Sequence, residues 1–362
     1  MTLRALGWHS FFASEFEPYE REGFIAGRVA VQHRGEYVLL TEAGEMRAEA
    51  AGNLLHSAAL PAVGDWVAAR PFEAGKALVH TVLPRRTAFT RKAAAGPTNR
   101  IEEQVLAANV DTVFLVSSFG PELKVRRIER YLASAWESGA DPVIVLTKLD
   151  AVSMDEVASA TAEVEAVCLG VPIHAVSGVT GDGVENLAQY LVEGRTVALL
   201  GSSGVGKSTL VNYLAGREVL STGELRPDGR GRHTTSHREL VPLPGGALVL
   251  DTPGLRELQL WEAEAGLEQA FEDIASLFSG CRFSDCKHET EPGCAVQAAL
   301  AAGALSAERW TSYTKLQREQ RALAIRHDAR LASHERKSGA RLRARGREPG
   351  TDRRGGSDPR GS

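Results

Sequence analysis

The most informative segment of this chain is Gly201-Ser202-Ser203-Gly204-Val205-Gly206-Lys207-Ser208. It has the pattern G-x-x-x-x-G-K-[ST], in which a glycine-rich loop between a strand and a helix surrounds phosphate oxygens. The flanks agree, since Arg195–Leu200 is a short apolar run and Ser208–Ala215 is predicted to be helical. The sequence therefore predicts a nucleotide-binding phosphate loop, and these flanks disfavour the alternative of a chance glycine-rich turn.

Each residue type in this loop has a role in holding a nucleoside triphosphate. Gly204 and Gly206 let the backbone curl until its N–H groups face the β-phosphate oxygens, and the N-terminus of the following helix adds positive potential. We expect the ammonium group of Lys207 to reach the β- and γ-phosphates and the hydroxyl of Ser208 to bind Mg²⁺. These roles name neither the base nor the reaction.

Other apolar runs predict the domain that contains the loop. They are almost continuously hydrophobic, as parallel strands buried on both faces are, and Arg126–Ser138 between them is an amphipathic, helix-like stretch. We therefore expect a doubly wound α/β domain that ends near residue 275. The runs are Thr112–Ser117, Pro142–Leu146, Val171–Val176, Arg195–Leu200 and Ala247–Leu250.

A carboxylate after the second run indicates the base. In Thr147-Lys148-Leu149-Asp150, Asp150 can accept hydrogen bonds from N1–H and the 2-amino group of guanine, whereas adenine has no such pair of donors. The stem of Lys148 can lie along the base, and Thr147 stands where GTPases usually carry Asn. Ser177-Gly178, after the next run, can supply N–H groups to the guanine oxygen. The alternative is that Asp150 only caps a helix.

Residues after the phosphate loop are candidates for sensing Mg²⁺ and the γ-phosphate. In Asp251-Thr252-Pro253-Gly254, Asp251 would hold Mg²⁺, directly or through water, and the N–H of Gly254 would contact the γ-phosphate. Gly231-Arg232-His233-Thr234-Thr235 offers a further threonine for the ion, and similarity to other GTPases with paired threonines favours the second, Thr235.

The sequence leaves open which group assists hydrolysis. Ras-like enzymes carry Gln just after the DxxG glycine, where this chain has Leu255, which cannot orient a water molecule. His233 is the candidate inside the chain, and a group supplied by a partner is the alternative. The base-binding motifs precede the phosphate loop, but a doubly wound sheet can be permuted while its strand ends still meet at one crevice.

Cysteine and histidine residues cluster after the α/β domain. Three sulfurs and one imidazole within fourteen residues match a closed tetrahedral Zn²⁺ site with a structural role. An iron–sulfur cluster usually takes four cysteines, and fortuitous clustering is the other alternative. We expect Cys168 to be a buried apolar residue. The predicted ligands are Cys281, Cys286, His288 and Cys294.

The N-terminal part predicts a small β-barrel of the OB or SH3 type. Five short β-prone runs are separated by turn signals, and the aromatic residues among the first twenty positions indicate that part of this segment packs on the body. Residues 85–103 are rich in Arg, Lys, Gly and Pro and are predicted to be a linker. The runs are Phe24–Gln32, Glu36–Leu40, Arg47–Ala51, Asp65–Ala69 and Ala77–Leu83.

Length, composition and charge limit the class of protein and its partners. A chain of 362 residues predicts two or three domains, and 43% hydrophobic with 24% charged residues excludes a wholly disordered chain. No apolar run or leader indicates a membrane or a secretory route, and the four cysteines do not form a disulfide framework, so we expect a cytoplasmic protein. We also expect a monomer. Residues 318–362 carry a net charge of +7 against −11 for the rest. This basic segment predicts a polyanionic partner, or else a solvated tail.

In combination these features resemble one bacterial family. A five-strand barrel, then the permuted motifs TKLD, SG, GSSGVGKST (Gly201–Thr209), GRHTT and DTPG, then CRFSDCKHETEPGC, are similar to the RsgA family, also called YjeQ or EngC, over about residues 5–325. The resemblance implies an N-terminal OB domain, a circularly permuted GTPase domain and a C-terminal helical zinc domain. It also implies that the histidine proposed to assist hydrolysis is His233. Thr147 and Gly178 depart from the commoner Asn and Ala.

The resemblance implies a function as well. Family members are ribosome small-subunit-dependent GTPases that act in late 30S maturation, bind rRNA near the decoding region and help to release a maturation factor. The rival hypotheses are an ATP-using kinase, which leaves Asp150 without a purpose, and a non-catalytic RNA-binding zinc protein. We divide the chain into residues 1–84 (N-terminal segment and barrel), 85–103 (basic linker), 104–275 (GTPase domain), 276–335 (zinc domain) and 336–362 (basic, disordered tail).

Overall fold

The fold is that of a computed structural model, which describes residues 1–33, 35–55, 60–95, 100–220, 238–251 and 264–327. The chain begins with helix α1 (Ser10–Arg21), which packs on the barrel that follows. The ring of Trp8 lies 4.6 Å from that of Trp66 in an edge-to-face contact, and Phe12 and Phe16 are buried beside them. The aromatic N-terminal segment thus packs on the body, as predicted, because burial of these large rings is strongly favourable in free energy.

Five strands then form a closed barrel. β1 pairs with β2, β2 with β3, β3 with β5, β5 with β4, and β4 with β1, so the ring closes with a parallel contact between β3 and β5 only. This confirms the predicted five-strand barrel. Its elements are β1 (Ile25–Gln32), β2 (Glu36–Thr41), β3 (Gly44–Ala50), the single-turn helix α2 (Gly52–Leu55), β4 (Trp66–Glu73) and β5 (Lys76–Val82).

Regular structure also lies within the segment predicted to be a basic linker. β6 (Ala88–Ala95) and β7 (Arg100–Ala108) form an antiparallel hairpin, which is a two-stranded sheet of its own. Phe89 and Leu106 are buried, so one face of the hairpin packs on the body. The two strands of this hairpin overlap the segment 85–103, and Phe89 anchors β6 on the body.

The phosphate loop belongs to the larger sheet that follows. Its strands run in the order β10-β9-β8-β11-β13-β12, parallel except for β12. This is the predicted doubly wound sheet, with β12 as an addition that the sequence reasoning missed. The elements are β8 (Thr112–Ser118), α3 (Val125–Ser138), β9 (Asp141–Thr147), α4 (Met154–Glu165), β10 (Ile173–Ala175), β11 (Thr196–Leu200), α5 (Lys207–Ala215), β12 (Arg238–Pro242) and β13 (Leu248–Asp251).

Helices cover both faces of this sheet. Along β8, Leu115 belongs to the hydrophobic cluster that contains Ile128 and Leu132 of α3, whereas its neighbour Phe114 belongs to the cluster that contains Leu210 of α5. Successive side chains of a strand point to opposite faces, so α3 and α5 lie on opposite sides. The phosphate loop, between β11 and α5, leaves the middle of the sheet.

β12 and Arg28 join the barrel to the larger sheet. Val31 and Gln32 of β1 pair with β12, so the two sheets are continuous. The guanidinium group of Arg28 is fully buried and donates to the carbonyl of Asn109 at 3.0 Å and to Oγ1 of Thr196 at 2.8 Å. Burial lowers the pKa of Arg28 to about 10, which leaves it charged at neutral pH.

Four helices complete the described chain: α6 (Glu264–Ala270), α7 (Glu272–Phe278), α8 (Ala295–Ala301) and α9 (Ala307–His327). The predicted boundary after residue 275 falls inside α7. Arg309 of α9 is buried and bonds Glu129 of α3 and Asp273 of α7, each at 2.8 Å. The C-terminal helices are therefore anchored on α3. Within the ranges given above, no helix is both long enough and apolar enough to cross a bilayer.

Candidate nucleotide site and metal centre

The phosphate loop turns sharply at two of its glycines. Gly204 has φ 80° and Gly206 has φ 88°, a backbone conformation that residues with a side chain rarely adopt. Gly206 is also the residue before α5, so the free N–H groups of the helix N-terminus face the inside of the loop. The loop therefore has the backbone geometry that its sequence pattern predicted.

Lys207 holds the beginning of the loop. Its side chain is buried, and its ammonium group donates to the carbonyl of Gly201 at 2.8 Å and to that of Ser202 at 2.6 Å. These two hydrogen bonds fix the ammonium group, which would bind the phosphates, to the first two residues of the loop.

Thr147 ties the TKLD motif to the phosphate loop. The side chain is buried, with Oγ1 2.5 Å from the carbonyl of Val205 and 3.1 Å from that of Ser117. The single hydroxyl proton can serve only one of these acceptors at a time. In this arrangement the hydroxyl contacts protein carbonyls, so the Thr147 side chain connects the end of β9 to the phosphate loop.

Ser177 fixes the carboxylate of Asp150. Ser177 is fully buried, and its hydroxyl donates to Oδ1 of Asp150 at 2.6 Å while it accepts the N–H of Thr180 at 3.0 Å. Asp150 itself is exposed, and Lys148 before it has φ 63°. The structure therefore brings the two predicted base-binding motifs together and presents a positioned acceptor to solvent.

Gly178 lies against the helix that follows the phosphate loop. A Cβ atom added at this position would lie 3.1 Å from the backbone nitrogen of Leu210, and this contact is tighter than side chains normally make. The close approach of the two backbones therefore leaves little room for a side chain at position 178.

The three motifs meet at one edge of the sheet. β9, β10 and β11 are parallel, so TKLD, Ser177-Gly178 and the phosphate loop all follow the carboxyl ends of their strands. Asp251 is the last residue of β13, which is parallel to β11, and so its backbone lies at the same edge. Ser208 and Thr209 are half-buried in the first turn of α5.

The predicted metal ligands also converge. The ligand atoms of Cys281, Cys286, His288 and Cys294 all lie within 4.8 Å of one another. Nδ1 of His288 is 3.5 Å from Sγ of Cys281 and 3.5 Å from Sγ of Cys294, and these two sulfurs are 4.0 Å apart. Ligand atoms about 2.0–2.3 Å from one ion at tetrahedral angles are spaced about 3.4–3.8 Å apart, so this set fits a metal ion.

Groups around these ligands hold the binding loop in place. The carboxylate of Glu291 accepts the N–H groups of Lys287 at 3.0 Å and Glu289 at 2.9 Å. These backbone hydrogen bonds lower the pKa of Glu291 to about 2. The ring of His288 stacks on Phe278 with 4.5 Å between ring centres, and its carbonyl accepts a hydrogen bond from Gln297 at 2.7 Å. Phe278 of α7 therefore orients the ring, and Gln297 of α8 holds the backbone of the same residue.

Comparison with known proteins identifies the family. The family model for the RsgA GTPase matches residues 82–261. A protein of Opitutus terrae named "Small ribosomal subunit biogenesis GTPase RsgA" is 53% identical, over 93% of this chain and 94% of its own. A protein of Streptomyces avermitilis with the same name is 45% identical, over 96% and 94%.

This chain belongs to the RsgA GTPase family. It is accordingly a GTP hydrolase, and GTPases use their nucleotide together with Mg²⁺. The solved structure of YjeQ from Thermotoga maritima is 29% identical, with a TM-score of 0.62 over 82% of this chain and 98% of its own. The structure of YloQ, described as a circularly permuted GTPase, is 23% identical with a TM-score of 0.59 and shows the same fold.

Several predicted residues of this RsgA-family GTPase lie outside the described ranges. They are His233, Thr234, Thr235 and Gly254, which were predicted to sense Mg²⁺ and the γ-phosphate or to assist hydrolysis. The basic tail at residues 336–362 also lies outside them. Their roles remain predictions.

One residue beside the loop was missed. Nη1 of Arg127, in the first turn of α3, donates to Oγ of Ser202 at 2.9 Å. The sequence did contain a signal, because Arg126 and Arg127 put two positive charges at a helix N-terminus, where acidic residues are favoured. Two arginines at that position do not stabilise the helix, which indicates that they are there for another contact.

Proposed function

We propose that this chain hydrolyses GTP during late maturation of the small ribosomal subunit, that it binds rRNA of the 30S particle and that the particle stimulates hydrolysis. The observation that carries this proposal is the Asp150–Ser177 pair beside the phosphate loop, in a chain that is 53% identical to a protein named for small-subunit biogenesis. Release of a maturation factor, a monomeric state and a cytoplasmic location complete the proposal.

Guanine selection follows from the fixed carboxylate. A guanine base placed on Asp150 would donate N1–H and its 2-amino group to the two carboxylate oxygens, and one of these oxygens is already oriented by Ser177. Adenine would leave the carboxylate without donors, which costs several kcal/mol when the site closes on the base. Lys148 would cover the base, and the N–H groups after Ser177 would face the guanine oxygen.

Mg²⁺ would be held at the edge where β11 and β13 end. The proposed ligands are the hydroxyl of Ser208, the hydroxyl of Thr235 and the carboxylate of Asp251, which are oxygen donors of the kind that Mg²⁺ prefers. When bound, the ion neutralises charge on the β- and γ-phosphate oxygens. The loop N–H groups from Gly201 to Thr209 and the ammonium group of Lys207 would hold the same oxygens from the other side.

We assign the assistance of hydrolysis to His233, with a group from the ribosomal particle as the alternative. Leu255 follows the DTPG glycine and has no polar atom to orient water. Either alternative makes the isolated protein slow. The His233→Ala variant separates them, because stimulated turnover that stays unchanged in this variant would discard the histidine.

We propose that the metal at the cysteine cluster is one structural Zn²⁺. Three thiolates and one imidazole fill a tetrahedral shell and leave no position for a catalytic water. The segment between α7 and α8 contains few buried apolar residues, so a metal is the main element that can order it.

The zinc module would couple the nucleotide state to the ribosomal particle. It is anchored on α3 through Arg309 and follows directly in the chain after the DTPG motif. Ordering of that motif by GTP would set the angle of the module, and hydrolysis would release the protein. Co-sedimentation with purified 30S subunits tests this: we expect retention with a non-hydrolysable GTP analogue and loss with GDP. Equal retention with both nucleotides would contradict the coupling.

A further inference from the structure

Arg127 lies beside the part of the loop that would meet the terminal phosphate. Its guanidinium group donates to Oγ of Ser202 at 2.9 Å, while the carbonyl of the same serine accepts from Nζ of Lys207 at 2.6 Å. The lysine of this motif reaches the β- and γ-phosphates in GTPases. Two cationic groups from different elements therefore contact one loop residue at this end of the site.

The positive charge of Arg127 has no carboxylate partner in the described part of the chain. Among the side chains that the structure describes, none pairs a carboxylate with Arg127 within 4 Å, whereas its neighbours on α3 are paired: Arg130 with Glu319 at 2.7 Å and Glu129 with Arg309 at 2.8 Å. The first turn of α3 holds no acidic residue, and the helix N-terminus adds to the positive potential. This local field favours an anion at the loop.

We propose that Arg127 is a phosphate-contacting residue of the GTP site, whose guanidinium group binds the γ-phosphoryl group and stabilises the charge that develops during hydrolysis. The inference rests on the proposed GTP hydrolysis and adds a residue to it. The reaction converts GTP⁴⁻ and H₂O into GDP³⁻, HPO₄²⁻ and H⁺. The water oxygen bonds to the γ-phosphorus, and the electron pair of the broken P–O bond stays on the β-phosphate. Arg127 remains protonated throughout.

The role fits what the chain lacks. Leu255 cannot supply the amide that Ras-like enzymes place near the attacking water, so other groups must stabilise the transition state. An arginine fork can bind two phosphoryl oxygens at once. Ser202 holds that fork at the loop before the nucleotide arrives, which lowers the cost of ordering the long side chain.

Arg127→Gln tests the inference, with Arg126→Gln as the matched control, since Arg126 is the exposed neighbour with the same charge. We expect Arg127→Gln to lower kcat for GTP about 100-fold and to abolish binding of GDP with aluminium fluoride, which mimics the transferring phosphoryl group. We expect its mant-GDP dissociation constant to stay within about threefold of wild type, and Arg127→Lys to recover part of kcat because it keeps the charge without the fork.

Two results would overturn the proposal. One is turnover by Arg127→Gln equal to that by Arg126→Gln. The other is an equal weakening of mant-GDP and GTP-analogue binding with kcat unchanged, since this shows that Arg127 only shapes the loop through Ser202. Melting temperatures exclude unfolding as the cause, and Arg127→Lys remains informative if the Gln variant is unstable. Wild-type protein without GTP turnover would instead contradict the proposed function itself.

Discussion

At the scale of single residues, the proposed selection of guanine rests on the Asp150–Ser177 pair. Asp150→Asn replaces an acceptor with an amide, which Ser177 can still orient through the remaining oxygen. Because xanthine has an oxygen where guanine has its 2-amino group, we expect the variant to lose about 100-fold in kcat/KM for GTP and to gain turnover of XTP. Steady-state kinetics with both nucleotides measure this. An unchanged ratio of GTP to XTP turnover, as in the exposed control Asp155→Asn, would show that position 150 does not contact the base.

Cys168 gives a second prediction at this scale. Burial raises its pKa to about 12 from 9.0, so the folded protein holds the thiol proton more tightly than the unfolded chain. The stabilisation is complete below about pH 9 and is lost as the pH rises towards 12. We expect Ellman's reagent at pH 8 to leave Cys168 unlabelled in the native, metal-loaded protein and to label it after denaturation. Rapid native labelling that Cys168→Ser removes would contradict this burial.

Motif residues were predictable at this scale, but two contacts were not. The phosphate loop and the metal-ligand cluster follow fixed local patterns, so the turn of the loop and the convergence of the ligand atoms were predictable from spacing. The hydrogen bond between Thr147 and Val205 joins residues that are 58 positions apart in the sequence, and the one between Arg127 and Ser202 joins residues that are 75 positions apart. Such contacts depend on how strands and helices pack, which no local pattern encodes.

At the scale of elements, α3 connects the nucleotide site to the C-terminal helices. Its first turn contacts the phosphate loop, and Glu129 on the same helix bonds the buried Arg309. Burial raises the pKa of Glu129, while the charge of Arg309 opposes the rise. Removing Arg309 would therefore leave a buried carboxyl group without its partner.

We expect Arg309→Met to destabilise the protein by about 3–5 kcal/mol, measured by urea unfolding at pH 7. Replacing Glu129 by Met as well should recover part of the loss, because the fully buried carboxylate is then absent and only the half-buried Asp273 loses its partner. Arg21→Met is the control, because its pair with Glu17 is exposed and is worth less than about 1 kcal/mol. If Arg309→Met and Arg21→Met lowered the free energy of unfolding by the same small amount, Arg309 would not anchor the C-terminal helices.

The metal module allows an independent prediction. We expect removal of the metal by a chelator to expose three reactive thiols and to lower 30S binding, while the mant-GDP dissociation constant stays within about twofold. The reason is that the cysteine cluster orders its own loop, whereas the phosphate loop is held by Lys207 and Thr147. Thiol titration and nucleotide fluorescence measure the two effects. Loss of nucleotide binding on chelation would show that the site depends on the metal.

Elements with strong hydrophobic patterns were predicted, and those with weak patterns were missed. β8, β9 and β11 are continuous apolar runs because both of their faces are covered by helices. The hairpin of β6 and β7 has many alanines and charges, and its Gly96-Pro97 region indicated a linker. β12 begins with Arg238 and ends with Pro242, which resembles a loop in sequence, and its pairing with β1 of the distant barrel is set by tertiary structure.

At the scale of the whole molecule, the barrel, the GTPase sheet and the metal module are physically continuous. β12 pairs with β1 of the barrel and with β13, the strand that ends at Asp251. Arg28 of the barrel donates a hydrogen bond to Thr196 at the beginning of β11, and Arg309 of the C-terminal helices forms an ion pair with Glu129 of α3. Both outer modules thus contact elements that lead to the nucleotide site. The proposed stimulation rests on these contacts: a partner that binds both outer modules would alter the positions of β12 and α3, and through them the nucleotide site.

GTP turnover by the whole chain, measured with and without purified 30S subunits and with ATP as the control nucleotide, tests whether the small subunit stimulates this GTPase. We expect slow turnover of GTP alone, an increase of at least about tenfold with 30S subunits, and no comparable turnover of ATP. Turnover of GTP that does not respond to 30S subunits would rule out stimulation by the small subunit, and equal stimulation with ATP would rule out selection of guanine.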